Sequence, residues 1–161
     1  MVHRPSSRNM TCNATSPIPF EGKRTVIDEL AAQLQQGLLA EPGVRLAYLF
    51  GSVLVVPDFR DIDVAIWAPA VEAMTPAARS DWRLQMGTAL ERHLDPRRPL
   101  DLHLLNGSPL PLQYTVVRTG RLILVRNEVE RIRYEAWLTS AFLDFQPSLR
   151  PFSEALLTRI S

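Results

Sequence analysis

Cysteine is nearly missing from this chain of 161 residues, in which Cys12 stands alone. A single thiol excludes an internal disulfide framework and any zinc site built on several thiolates. Its scarcity points to a reducing, cytoplasmic setting. Long apolar runs are missing too. None approaches the roughly 20 residues that span a bilayer. Arg4 and Arg8 have no apolar segment behind them, so neither a membrane span nor a secretory leader is expected. Asn9-Met10-Thr11 and Asn13-Ala14-Thr15 match glycosylation sequons and, without an export signal, read as chance matches. Charge of one sign is the third thing lacking. Lys and Arg number 18 against 17 Asp and Glu, which leaves none of the basic excess that holds nucleic acid through its phosphates. The arginines between Arg118 and Arg133 are interleaved with Glu128 and Glu130, with Glu135 just beyond, the pattern of a solvated helix face. Direct nucleic-acid binding is therefore not expected.

What is present is an ordinary globular composition, 46% hydrophobic and 22% charged, in a chain long enough to bury a core. Residues 1–20 are rich in Ser, Asn, Thr and Pro without periodicity and read as a disordered tail. From Lys23, the residues Val26, Ile27, Leu30, Leu34, Leu38 and Leu39 recur at helical spacing. Val44 to Phe50 reads as a buried strand ending at Gly51-Ser52. After Pro57-Asp58, Ile62 to Trp67 reads as a second strand, and the short connection suggests an antiparallel pair. Thr75 and Pro76 are a helix N-cap and first residue, for a helix reaching about Leu94. Pro99 to Leu105 is a third strand, Pro109 to Arg118 a short helix, and Arg121 to Val125 a further strand. From Asn127 the chain looks helical to Phe142 or Leu143, is interrupted at Pro147 and Pro151, and resumes from Phe152 to Ile160. The expected fold is α+β: a small mixed β-sheet flanked by helices, with a core over 21–126 and a helical C-terminal segment, 127–161, packed on the same domain.

Three aspartates within or beside strands stand out, because aspartate is depleted there. Side chains one residue apart across an intervening position share a face, so Asp61 and Asp63 point to the same side and Ile62 into the core. Two such carboxylates repel unless a cation or proton lies between them, and Mg²⁺ commonly takes one or two carboxylates with substrate phosphates and water. Gly51-Ser52 follows a strand, where glycine permits close approach and the hydroxyl and N–H groups suit phosphate oxygens. A single Gly-Ser is most often a turn and a single Asp-x-Asp most often a solvated strand edge. In this order, between strands, and followed by Asp101 in another strand, they point to phosphoryl or nucleotidyl transfer.

Phe50-Gly51-Ser52, Asp61-Ile62-Asp63 and Asp101 in PLDLHLLN resemble the signature of the DNA polymerase β-type nucleotidyltransferase superfamily, and more narrowly of the minimal, MntA-like (MNT) nucleotidyltransferases. The segment from Pro109 to Pro147 is similar to the tail that follows the core in MntA-type antitoxins. The resemblance implies that Asp61, Asp63 and Asp101 form a catalytic triad holding two Mg²⁺ ions. It implies that Gly51 and Ser52 hold the outer phosphates of ATP. It also implies a partner, a HEPN-domain ribonuclease toxin, silenced by transfer of AMP to a tyrosine hydroxyl. Between Ser52 and Asp61 the family usually has a longer stretch that opens with Arg and carries a Gly. Here it is the eight residues VLVVPDFR, Val53 to Arg60. Two readings follow: an adenylyltransferase, or a fold that neutralises its toxin by contact alone with weak or no catalysis. A small-molecule nucleotidyltransferase is the weaker third, since such proteins usually carry a further acceptor domain.

His103 lies two residues from Asp101 on the same strand face and reads first as a hydrogen-bonded or solvated histidine, with contact to a substrate as the alternative. His93 lies near a helix end, where the dipole favours it. Packing is the expected role of Tyr114 and Arg118 after the core, with nucleotide or partner binding as the alternative, and core burial that of Trp137, Phe142 and Phe145; an exposed aromatic there would suit a partner interface.

Overall fold

The alternation of apolar segments with Gly, Pro and Asp breakers resolves into five α-helices and four strands in a computed structural model, which describes residues 20–158 of the chain and the side chains of 24–146. Cys12, both sequons and all of the expected tail but Phe20 lie outside the described residues. The elements are α1 (Phe20–Leu39), β1 (Leu46–Phe50), α2 (Ser52–Val55), β2 (Ile62–Trp67), α3 (Pro76–Glu91), β3 (Leu100–Leu104), α4 (Leu110–Thr119), β4 (Arg121–Val125) and α5 (Glu128–Thr158), with a 3-10 turn at Pro69–Ala73.

The sheet is mixed, in the order β3-β2-β1-β4. The close pair β1/β2 is antiparallel, as its short connection requires, and β1/β4 is antiparallel too. β3 returns parallel to β2 after α3, the connection a parallel pair needs. The two inner strands are covered on both faces, which is why LAYLF and VAIW read as nearly continuous apolar runs. On one face, Ala47, Leu49, Val64, Ile66 and Leu102 pack with Leu30, Leu34 and Leu38 of α1 and Met86 and Leu90 of α3. On the other, Leu46, Tyr48 and Ala65 pack with Val116 of α4 and with Tyr134 and Leu138 of α5.

Helix starts follow the capping chemistry. Thr75 caps α3 by accepting from Ala78 N at 3.3 Å, with Pro76 in the first turn. The Oδ1 of Asn127 accepts from Val129 N at 2.9 Å and Glu130 N at 3.2 Å to open α5. α5 is fastened to β1 by two polar contacts. Arg45, just before β1, grips Glu130 in a two-pronged pair of 2.8 and 2.7 Å. The buried Tyr48 hydroxyl donates to Glu135 at 2.9 Å.

The structure corrects the sequence reading at several places. α3 ends at Glu91, and the expected last turn to Leu94 is a non-helical turn that still buries Leu94. The eight-residue stretch after Ser52 opens with a helical turn, α2. It is anchored by Phe59, which is buried and has the Arg98 guanidinium over its ring at 4.6 Å. α5 is one helix through Pro147 and Pro151. A proline keeps a helical φ and removes one donor, which kinks a helix more readily than it ends one. Trp137 is 56% exposed and Phe145 37%, so neither is core. The ring of Phe142 is half-buried and stacks on Tyr114 at 4.0 Å, sealing α4 against α5.

Candidate active site

The carboxylates meet because of strand register. Phe50, the last residue of β1, pairs with Asp63 on β2. Asp63 in turn pairs with Asp101 on β3. Neighbouring strands lie about 4.8 Å apart, so two side chains directly across a parallel pair reach the same point. The parity of the register puts Asp63, Asp101 and His103 on the face that carries Tyr48 and Ala65, the α4/α5 face, at the end of the sheet where β1 stops. Here β1 gives way to Gly51, which has φ 78° and ψ −151° and leads into α2.

His103 is the side chain that sequence reasoning undervalued. Its Nε2 lies 3.2 Å from Asp101 Oδ2 and 3.8 Å from Asp63 Oδ1. Its ring meets Phe50 edge-on, with centroids 5.3 Å apart. The signal was in the chain, since His103 shares a face with Asp101, but only the parallel pairing of β2 and β3 shows that both carboxylates flank it. Arg83 of α3, not considered from sequence, approaches the other oxygen of Asp101, Oδ1, at 3.9 Å.

The electrostatics are those of a crowded acidic site. Partial burial pushes the Asp63 carboxyl above the usual aspartate range, the charges of Asp61 and Asp101 push it further, and His103 opposes the shift. One ligand atom each from Asp63, Asp101 and His103 lies within 4.8 Å of the others. Ligands on opposite sides of one ion with bonds of about 2.1 Å are separated by about 4.2 Å, so this donor set fits a divalent ion. Asp61 is exposed, immediately precedes β2, and falls outside that compact group, although its charge is felt by Asp63. Gly51 lies against the Asp63 carboxylate, and Ser52 is half-buried at the start of α2. Asp101 is the open member, its side chain 56% exposed against 24% for Asp63.

Other singled-out residues do not join this group. His93 is exposed and its ring packs against Gly37 of α1. Arg118 is exposed on α4. Among the described residues, no helix is long and apolar enough to cross a membrane.

A mixed four-stranded sheet with carboxylates on adjacent strands beside a Gly-Ser turn defines a nucleotidyl-transfer architecture. The chain belongs to the polymerase beta nucleotidyltransferase family, whose sequence model matches residues 32–129. No curated protein matches the chain significantly. Among solved structures, it is similar to the complex of a tri-AMPylated Shewanella oneidensis HEPN toxin with an MNT antitoxin, at 21% identity and a TM-score of 0.55 over 84% of this chain and 95% of that one. It is also similar to the MntA–HepT toxin–antitoxin complex, at 20% identity and a TM-score of 0.56 over 84% and 96%. A toxin–antitoxin structure with AMP-PNP gives 21% identity and a TM-score of 0.58 over 84% and 98%. At these identities the likeness is one of fold.

Proposed function

We propose that this chain is an MntA-like antitoxin that transfers AMP from ATP to a tyrosine hydroxyl of a cognate HEPN ribonuclease toxin, in a cytoplasmic setting consistent with its single cysteine. The observation that carries this reading is the pairing of Asp63 with Asp101 across β2 and β3, beside Gly51. The fold neighbours described as HEPN–MNT complexes, one of them with an AMPylated toxin, support the partner and the reaction.

In this reading Asp61, Asp63 and Asp101 hold two divalent ions, Mg²⁺ by family resemblance. When bound, these supply charge neutralisation of the triphosphate and an electrophilic α-phosphorus. Gly51 and the Ser52 hydroxyl receive the outer phosphates, glycine allowing the backbone to come close. The exposed Asp101 carboxylate orients the incoming tyrosine hydroxyl and accepts its proton. The tyrosine oxygen bonds to the α-phosphorus, the bond to the bridging oxygen breaks, and pyrophosphate leaves in line. The exposure of Asp101 suits an acceptor presented on a second protein.

A second reading, neutralisation by contact alone, is favoured by one observation. The stretch from Val53 to Arg60 is short, and it presents Val55, 75% exposed, and Val56 where a triphosphate loop with arginine and glycine is usual in the family. Labelled ATP incubated with this chain and a candidate HEPN toxin separates the two. Transfer of label that Asp61→Ala/Asp63→Ala abolishes supports the enzyme. Absence of transfer, with that double variant as protective in cells as the wild type, sinks it in favour of contact.

A further inference from the structure

We infer that His103 is itself a metal ligand, and that the position it shares with Asp63 and Asp101 selects Mn²⁺ over Mg²⁺. The inference rests on the reading of Asp63 and Asp101 as metal carboxylates and deepens it by naming the ion class and the third donor.

The geometry is that of a ligand set. Donors in neighbouring positions around one ion, with bonds of about 2.1 Å, stand about 3.0 Å apart in an octahedron and about 3.4 Å apart in a tetrahedron. Nε2 of His103 stands 3.2 Å from one carboxylate oxygen and 3.8 Å from the other, close enough for a small side-chain adjustment to close the set. The two oxygens of Asp101 are divided, Oδ1 toward Arg83 and Oδ2 toward His103, which leaves one oxygen of Asp101 for the ion. The imidazole is positioned by packing. Its backbone lies opposite Ala65 in the parallel register, where a methyl group leaves room for the ring to lean back toward Asp63. Phe50 braces the ring from the side.

The chemistry of the donors then selects the ion. Mg²⁺ prefers an all-oxygen octahedron and keeps its water, whereas imidazole nitrogen suits transition ions. An Asp-Asp-His set is a mixed nitrogen–oxygen site, and of the two oxygen-favouring ions Mg²⁺ and Mn²⁺ it is Mn²⁺, the first-row transition ion, that gains from the imidazole nitrogen. The rival role for His103 is that of a hydrogen-bond donor to the two carboxylates. It fits the same distances but predicts that removing the imidazole leaves metal affinity intact.

The full chain without nucleotide is titrated by calorimetry with Mn²⁺ alone and with Mg²⁺ alone in the same buffer. Wild type is expected to bind Mn²⁺ at least about tenfold more tightly than Mg²⁺. His103→Ala is expected to lose about tenfold or more of the Mn²⁺ affinity while Mg²⁺ binding changes by less than about threefold. Pulsed electron paramagnetic resonance of the wild-type Mn²⁺ complex, with histidine labelled with ¹⁵N, is expected to show coupling to one imidazole nitrogen. Equal Mn²⁺ affinity in wild type and His103→Ala, or a Mn²⁺ complex without nitrogen coupling, overturns the inference. The wild-type resonance decides it alone if the variant proves unfolded. Both measurements are independent of AMP transfer. Histidine-dependent Mn²⁺ binding without transfer leaves this inference standing and removes the proposed enzyme, and transfer with histidine-independent binding does the reverse.

Discussion

Gly51 lies so close to Asp63 that a Cβ on the glycine would overlap the Asp63 Oδ2. The same glycine holds φ 78° and ψ −151°, a region open essentially to glycine alone. Two demands therefore meet at one position: the chain must turn sharply out of β1, and it must leave the Asp63 carboxylate where it is. Gly51→Ala violates both. It is expected to lower stability by about 1–3 kcal/mol from backbone strain and to displace the carboxylate. A lower melting temperature should thus accompany loss of metal affinity. A variant that melts lower yet binds metal as the wild type does would show that the carboxylate can move without consequence.

The strained environment of Asp63 has a pH signature. Burial first, then the Asp61 and Asp101 charges, raise its folded pKa above the unfolded value. The folded state thus binds this proton more tightly than the unfolded chain. The stabilisation it contributes is complete below the unfolded pKa, near 4, and is lost as pH rises through the raised folded value. Asp63→Asn removes that loss. Without divalent ions at neutral pH, the variant is expected to melt a few degrees above wild type, with a shallower pH dependence on the acid side. Added divalent ion should raise the melting temperature of the wild type and leave the variant nearly unmoved. Melting curves across pH, with and without ion, check both halves.

The strands and the carboxylates were legible for a shared reason. β1, β2 and β4 are short apolar runs bounded by Gly, Pro or Asp, and a charged residue inside or beside such a run is conspicuous. α2 was hidden because Ser52 to Val55 is too short to show a period and its valines favour strand. The continuity of α5 was hidden because Pro147 and Pro151 ordinarily mark an end. His103 needed a fact no local pattern carries: that β3 lies beside β2 in parallel, with Asp101 against Asp63 and His103 against Ala65. Trp137 was misread because aromatic content alone does not fix the rotation of a helix about its axis.

A buried tie between sheet and helix can be tested at Tyr48. Its ring is 2% exposed and its hydroxyl donates to Glu135 of α5. Burial and the neighbouring carboxylate hold its ionisation far above the ordinary tyrosine value, so it remains a donor across the accessible pH range. Tyr48→Phe removes that donor without changing the ring. The expected cost is about 1–2 kcal/mol, read from the shift of a urea unfolding midpoint at unchanged slope. A change within about 0.3 kcal/mol would mean that Arg131, which also bonds Glu135 at 2.8 Å, satisfies that carboxylate unaided.

Adjacent residues of α5 give the sharpest check on how the helix faces the sheet. Leu138 is fully buried against the Tyr48 and Ala65 face, while Trp137, one residue earlier, is 56% exposed with its ring beside Tyr134 at 6.2 Å. Size alone would make the tryptophan the costlier loss. Orientation makes the opposite prediction. Leu138→Ala opens a cavity between α5 and β1 and is expected to cost about 2–5 kcal/mol. Trp137→Ala gives up mainly a ring contact and is expected to cost about 1 kcal/mol or less. Chemical denaturation of the two variants, measured side by side, reads the rotation of α5 directly. A larger loss at Trp137 than at Leu138 would mean that the helix turns its other side to the sheet.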